Sequence, residues 1–160
     1  MTPTIRDATP ADAALIQCLT RAAWQGRVAA NSSAYRETEE QLARELAEGC
    51  GVVLLLGETP IGSVRASPVP GAWEVRRMGV LPAYRARGHA ELMMDAIVER
   101  AHAAGIAELR LGVRRDQPRL VAFYGKMGFE LAPGLGYAHA NPAAPEPWVM
   151  RRVLTRPGRR

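Results

Sequence analysis

Val80-Leu81-Pro82-Ala83-Tyr84-Arg85-Ala86-Arg87-Gly88-His89-Ala90 joins two different patterns. Before it runs an apolar, strand-like stretch from Trp73 to Val80. After it an amphipathic pattern extends from His89 to about Ala104. A strand that passes through a glycine-bearing turn into a helix start is suited to phosphate. The first backbone N–H groups of a helix have no intrahelical partner, and the macrodipole adds about half a positive charge there. Gly88 has no Cβ to hold an anion off, and Arg85 and Arg87 bring side-chain charge. A capped helix with a solvated basic turn would use the same residues.

The neighbouring chain reads as alternating elements. Thr4-Ile5-Arg6 is a short strand. Thr9-Pro10-Ala11-Asp12 has a cap, a proline at the first helical position and an acid at the third. The helix it opens carries Leu15, Ile16, Leu19, Ala22 and Ala23 and ends near Gly26. Residues 25–37 lack periodicity and read as a loop. Thr38-Glu39-Glu40-Gln41 is a second capping box, with Leu42 and Leu46 on one helix face and a stop at Gly49 or Gly51. Residues 52–56 form a continuous apolar run of buried-strand length. A turn at 57–60 and a strand over 61–66 complete a hairpin. The chain breaks at Pro68-Val69-Pro70-Gly71, and residues 73–80 form the next strand. Gly105 ends the long helix. Leu109, Leu111 and Val113 alternate as a strand, parallel to 73–80 because a helix separates them. A short helix follows over 118–126, then a strand over 128–131, a Pro-, Gly- and Ala-rich loop over 132–147, and a last strand over 148–154. The fold class is therefore α/β: a mixed, mostly antiparallel sheet with one parallel crossover and flanking helices.

The length of 160 residues suits one domain, expected over 1–155, with a basic tail at 156–160. The net charge is +5. Arg151, Arg152, Arg156, Arg159 and Arg160 raise it without describing the domain, so a nucleic-acid partner is not expected. Cys18 and Cys50 lack a CxxC spacing, which fits a reduced cytoplasmic compartment and also allows one disulfide. The N-terminus has Asp7 and Asp12 and no apolar run of signal-peptide length, and no stretch suits a membrane span. His89, His102 and His139 have no metal-ligand spacing, so no metal is expected.

The turn Arg85-x-x-Gly88-x-Ala90 resembles the acyl-CoA pyrophosphate motif of the GNAT superfamily of N-acetyltransferases, Arg/Gln-x-x-Gly-x-Gly/Ala. Tyr124-Gly125-Lys126-Met127-Gly128-Phe129 is similar to the family's Tyr-x-x-x-Gly-Phe segment. The element order agrees over about residues 4–154. Neither GxGxxG nor GxxxxGK[ST] is present, which removes the Rossmann and P-loop readings. The resemblance implies an acetyl-CoA-dependent N-acetyltransferase that moves the acetyl group to a primary amine by direct attack in a ternary complex. The other class it leaves open is a non-catalytic acyl-CoA-binding module on the same fold.

The resemblance also assigns roles. Arg85, Ala86, Arg87, Gly88, His89 and Ala90 would seat the pyrophosphate, chiefly through backbone amides, with one of the two arginines facing solvent. Met78, Gly79 and Val80 would pair with the pantetheine arm at an opened strand edge, with a bulge nearby and Gly79 keeping the approach clear. Tyr124 would be the general acid for the departing thiolate. Glu74 stands where one branch of the family has its base. Strand alternation places it with Arg76 and Met78, opposite Val75, Arg77 and Gly79. It is either that base or a charge paired with Arg76. Gln117 stands where the family commonly has a cofactor-contacting Asn. Trp24, Arg27 and Tyr35 either wall the acceptor site, Arg27 suggesting an acidic acceptor, or pack on the sheet. The strand at 148–154 is expected to be exposed and able to pair in a homodimer. The acceptor itself is unidentified.

Overall fold

The computed structural model describes residues 1–27, 33–138 and 145–155. His139 and the tail at 156–160 lie outside these residues. The chain runs β1 (Pro3–Asp7), α1 (Ala13–Trp24), α2 (Glu39–Glu48), β2 (Cys50–Leu56), β3 (Thr59–Val69), β4 (Ala72–Val80), α3 (His89–Ala103), β5 (Glu108–Val113), α4 (Arg119–Gly125), β6 (Glu130–Leu131) and β7 (Trp148–Val153). Among the described residues these strands form one seven-stranded sheet in the order β1-β2-β3-β4-β5-β7-β6. Only β4 and β5 are parallel neighbours. No described helix is long and apolar enough to cross a membrane. Cys18 and Cys50 are free thiols.

Both faces of the sheet are covered, which explains the unbroken apolar run of β2. Val52 and Leu54 join Met93, Met94, Ile97 and Ala101 of α3 in one core. Val53 points the other way, to Ile16 and Leu19 of α1 and Leu42 and Leu46 of α2. The helix starts follow their caps. Gln41 N–H donates to Thr38 Oγ1 at 3.1 Å, and Thr38 N–H donates to Gln41 Oε1 at 3.0 Å. Pro10–Asp12 is a 3-10 turn leading into α1. Arg6 grips Asp12 with two hydrogen bonds of 2.9 Å and holds its carboxyl below the usual range.

Two features of β4 make the cleft. The β4–β5 ladder contains only Trp73↔Leu109 and Glu74↔Arg110, after which the strands part. On the β3 side, Arg65 faces Arg76 and Ser63 faces Gly79. One β3 residue, Val64, therefore opposes two β4 residues, Arg77 and Met78. This is a bulge, with Arg77 at φ +56°. The extra residue resets the alternation. Arg76 and Arg77 both lie on the α1/α2 face, bonded to Glu45 and near Glu37. Met78 turns to the α3 core with Val75 and Val80. The simple alternation expected from the sequence, with Met78 beside Glu74 and Arg77 opposite them, fails for this reason.

The last strand is also placed differently from expectation. β7 is not an open edge: β5 pairs along its whole length, and β6 pairs with Met150 and Arg151 on the other side. The strand pattern at 148–154 was sufficient to mark a strand, but its neighbours depend on where β6 returns. β6 itself is confined to Glu130–Leu131, since Gly128 at φ +90° still belongs to the turn after α4.

Gly79 has its own packing reason. A Cβ there would stand 2.8 Å from Ala23 Cβ and 3.1 Å from Trp24 Nε1, so the glycine lets α1 approach β4. Gly79→Ala is expected to destabilise the fold by about 1–3 kcal/mol through overpacking, read as a lower urea midpoint. An unchanged midpoint would show that α1 yields freely.

Candidate active site

Where β4 and β5 part, a cavity of about 610 Å³ opens. Met78, Gly79 and Val80 form one wall, and Leu111 and Gly112 of β5 the other. The α3 N-terminus closes one end through Gly88, His89 and Ala90. Tyr124 of α4 and Trp24 of α1 are part of its lining. Arg85, Ala86 and Gln117 also line it. The structure thus brings together every residue the motifs assigned to the cofactor except Arg87, which is exposed and outside the lining.

The turn before α3 has the form an anion needs. Gly88 is the N-cap at φ +77°, with no side chain capping the helix. A Cβ on it would meet only Glu91 Oε2, at 4.0 Å, so the space before the helix start is open. The Arg85 side chain is committed elsewhere. Its Nε donates to Val80 O at 3.1 Å, and its terminal nitrogen donates to Ala23 O. It ties the end of β4 to α1. Burial, followed by the charges of Arg27 and Arg119 in the same cavity lining, lowers its pKa. His89 is buried, and its Nδ1 lies 2.8 Å from Tyr84 O, so that nitrogen carries the proton. The ring closes the turn from inside.

The short helix α4 holds Tyr124 by aromatic packing. Its ring meets Phe123 at 5.2 Å and Phe129 at 6.1 Å between centroids, both edge to face. Gly128 at φ +90° brings Phe129 back under the helix, where its N–H donates to Tyr124 O at 3.2 Å. This is the physical content of the Tyr-x-x-x-Gly-Phe spacing. Burial pushes the Tyr124 phenol up to about 12.

Four assigned residues have partners that alter their reading. Gln117 Nε2 donates to Arg27 O at 2.6 Å, and its Oε1 accepts from Arg119 at 2.8 Å, so its amide ties α4 to the end of α1. Trp24 Nε1 donates to Met78 O at 3.2 Å and Tyr35 Oη donates to Trp24 O at 3.0 Å. Trp24 therefore both packs on β4 and lines the cavity with Arg27, while Tyr35 is not part of the lining. Glu74 is only 3% exposed and does not line the cavity. Its Oε1 lies 3.7 Å from Arg76 Nε.

Sequence reasoning missed the other partner of Glu74, the Tyr137 hydroxyl, which hydrogen-bonds to it. The Tyr137 ring lies flat against Gly112, where a Cβ would stand 2.6 Å away. Tyr137 therefore covers the gap between β4 and β5 from the α1/α2 face. Burial first, then the charge of Glu74, raises its pKa to about 12. Its lone aromatic ring in a Pro-, Gly- and Ala-rich loop was the available signal. Glu37 was missed as well. It meets Arg65 and also Arg77, the latter at 3.5 Å, and Arg77 lies 5.5 Å from the Trp24 ring centre.

A phenol with its pKa raised to about 12 stays protonated throughout the neutral and mildly alkaline range. Ultraviolet titration of the wild type minus Tyr124→Phe is therefore expected to show tyrosinate forming near pH 12 rather than near the ordinary value of about 10. A difference signal centred near 10 would mean that the ring is not desolvated.

The family model described as Acetyltransferase (GNAT) family matches residues 15–129. Solved structures share the fold over nearly their whole length. PaiA N-acetyltransferase from Thermoplasma acidophilum, solved in complex with coenzyme A, superposes with TM-score 0.78 at 18% identity, covering 96% of this chain and 99% of that one. The ribosomal-protein-S18-alanine N-acetyltransferase from Escherichia coli gives TM-score 0.75 at 16% identity, covering 98% and 97%. A GNAT-family acetyltransferase from Staphylococcus aureus gives 0.78 at 12% identity, covering 96% and 100%. No curated protein sequence matches significantly. With the family model spanning more than half of its residues, and with a parted β4–β5 pair leading to an uncapped helix start, the chain belongs to the GNAT acetyltransferase family.

Proposed function

We propose that this protein transfers the acetyl group of acetyl-CoA directly to a primary amine. The observation that carries the reading is the cavity between β4 and β5, which runs to the Gly88 helix start and has Tyr124 beside it. The amides of the 85–90 turn seat the pyrophosphate, and the macrodipole of α3 favours its charge. The Arg85 side chain shapes this turn from within, while Arg87 remains at its rim. The backbone of Met78, Gly79 and Val80 lies along the pantetheine arm, an added-strand contact at an opened edge. A backbone N–H of this segment polarises the thioester carbonyl.

In the transfer a bond forms from the amine nitrogen to the acetyl carbon, and the carbon–sulfur bond breaks. Tyr124 donates its proton to the leaving sulfur, which its neutral phenol is suited to do. The amine must lose a proton to attack, and Glu74 is the receiving carboxylate. Because Glu74 is buried beside the cavity rather than in its lining, the proton reaches it through water or through the Tyr137 hydroxyl. Neither cysteine lines the cavity, which favours direct transfer over an acyl-enzyme. Two free thiols fit a reduced, cytoplasmic setting.

The test is an amine panel read as free CoA thiol, with wild type, Glu74→Gln and Tyr124→Phe. Each variant is expected to lose roughly 10²-fold in kcat, while calorimetric CoA affinity is retained. Full activity in both would remove the acid and base assignments and leave the family standing. Acetyl-CoA binding without thiol release for any amine would favour the non-catalytic module.

A further inference from the structure

We propose that a second cavity, on the α2 side of β4, receives a carboxylate carried by the amine acceptor. This rests on the acetyl-transfer reading above and specifies its substrate class. The cavity holds about 430 Å³ and lies between α2 and the paired strands β3 and β4. It adjoins the cleft at Arg77, which lines both spaces. The bulge in β4 puts that side chain there.

The charges of the second cavity are not equally available. Glu37 meets Arg65 and Arg77, and Glu45 meets Arg65 at 3.1 Å and Arg76 at 2.5 Å. Both carboxylates are therefore taken up by buried arginines. Arg36 and Arg44, exposed in the wall, make no ion pair with the described residues. Ser67, 8% exposed, also lines the cavity, and its Oγ is buried without a hydrogen-bond partner among the described residues. A buried hydroxyl is costly to leave unsatisfied. Apart from Glu48, the charged or buried polar groups free for a ligand are thus donors: two guanidinium groups and one hydroxyl. Glu48, the remaining carboxylate of the wall, is exposed and offsets one of the two cations. One net positive charge suits a monoanion, so a carboxylate fits better than a phosphate dianion. Arg–carboxylate pairing can add two parallel hydrogen bonds. The ligand would straddle Arg77, with its amine in the cleft and its carboxylate beside α2.

The experiment compares ω-amino acids of increasing length with alkylamines of equal length and with aminoalkyl phosphates, each read as free CoA thiol. At the best length the amino acid is expected to exceed its alkylamine by about tenfold or more in kcat/KM. The double variant Arg36→Ala/Arg44→Ala is expected to raise KM for that amino acid about tenfold and bring it to the level of the alkylamine. Ser67→Ala should raise the same KM by a smaller factor. Calorimetric CoA binding confirms that each variant is folded. Alkylamines that react as well as amino acids, a preference for phosphates, or a double variant that keeps its preference would overturn the carboxylate site while leaving acetyl transfer intact. No thiol release with any amine would overturn both.

Discussion

One extra residue in β4 is the constraint on which the site depends. Opposite β3 the strand carries two residues where its partner carries one, and Arg77 takes a left-handed backbone conformation at φ +56°. For a residue with a Cβ this conformation costs about 1–3 kcal/mol. A bulge also bends its strand and increases the local twist. β4 pairs with β5 only through Glu74, and its second half diverges from it. The cleft is the space this divergence leaves, with the α3 helix start at its end.

The same extra residue organises the opposite face of the sheet. It directs Arg76 and Arg77 to one side, where they join Arg65 among Glu37, Glu45 and Glu74. Three buried or half-buried cations among three carboxylates form a network in which most charges have more than one partner. Such a network contributes little net stability compared with apolar packing, but breaking one member leaves another charge buried and uncompensated. It therefore holds the bulged segment in register. Trp24 ties α1 to the bulge: its indole N–H donates to the Met78 carbonyl, and its ring receives the Arg77 guanidinium. The end of α1 is thereby bound to the segment of β4 that lines the cleft.

The elements were legible because their signals are local. Caps at Thr9 and Thr38, the apolar run at 52–56 and the glycines at 88 and 105 act within a few residues of themselves, and each element formed close to where it was expected. The residues proposed for the cofactor could be found in the sequence, and all but Arg87 line one cavity, for a related reason. A phosphate seat at a helix start is built from consecutive residues, and the Tyr124–Phe129 contact is set by one helix and one turn. The residues proposed for the acceptor side were much less legible. Glu74 and Arg77 of β4, Tyr137 and Glu37 come from three separate segments, and none has a short-range pattern that announces the others.

The sequence by itself determined the element order, the single parallel crossover, the glycine-bearing turn before α3 and the family. These follow from periodicity and from motifs closed within short stretches. Only the tertiary structure decided which side of β4 Met78 and Arg77 occupy, because a bulge shifts the alternation by one and depends on the register with β3. It alone set β7 inside the sheet, turned Gly79 toward α1, engaged the Arg85 side chain with backbone carbonyls, and brought Tyr137 from a distant loop onto Gly112. In each case the deciding partner lies far away in the chain, and its position is a property of packing.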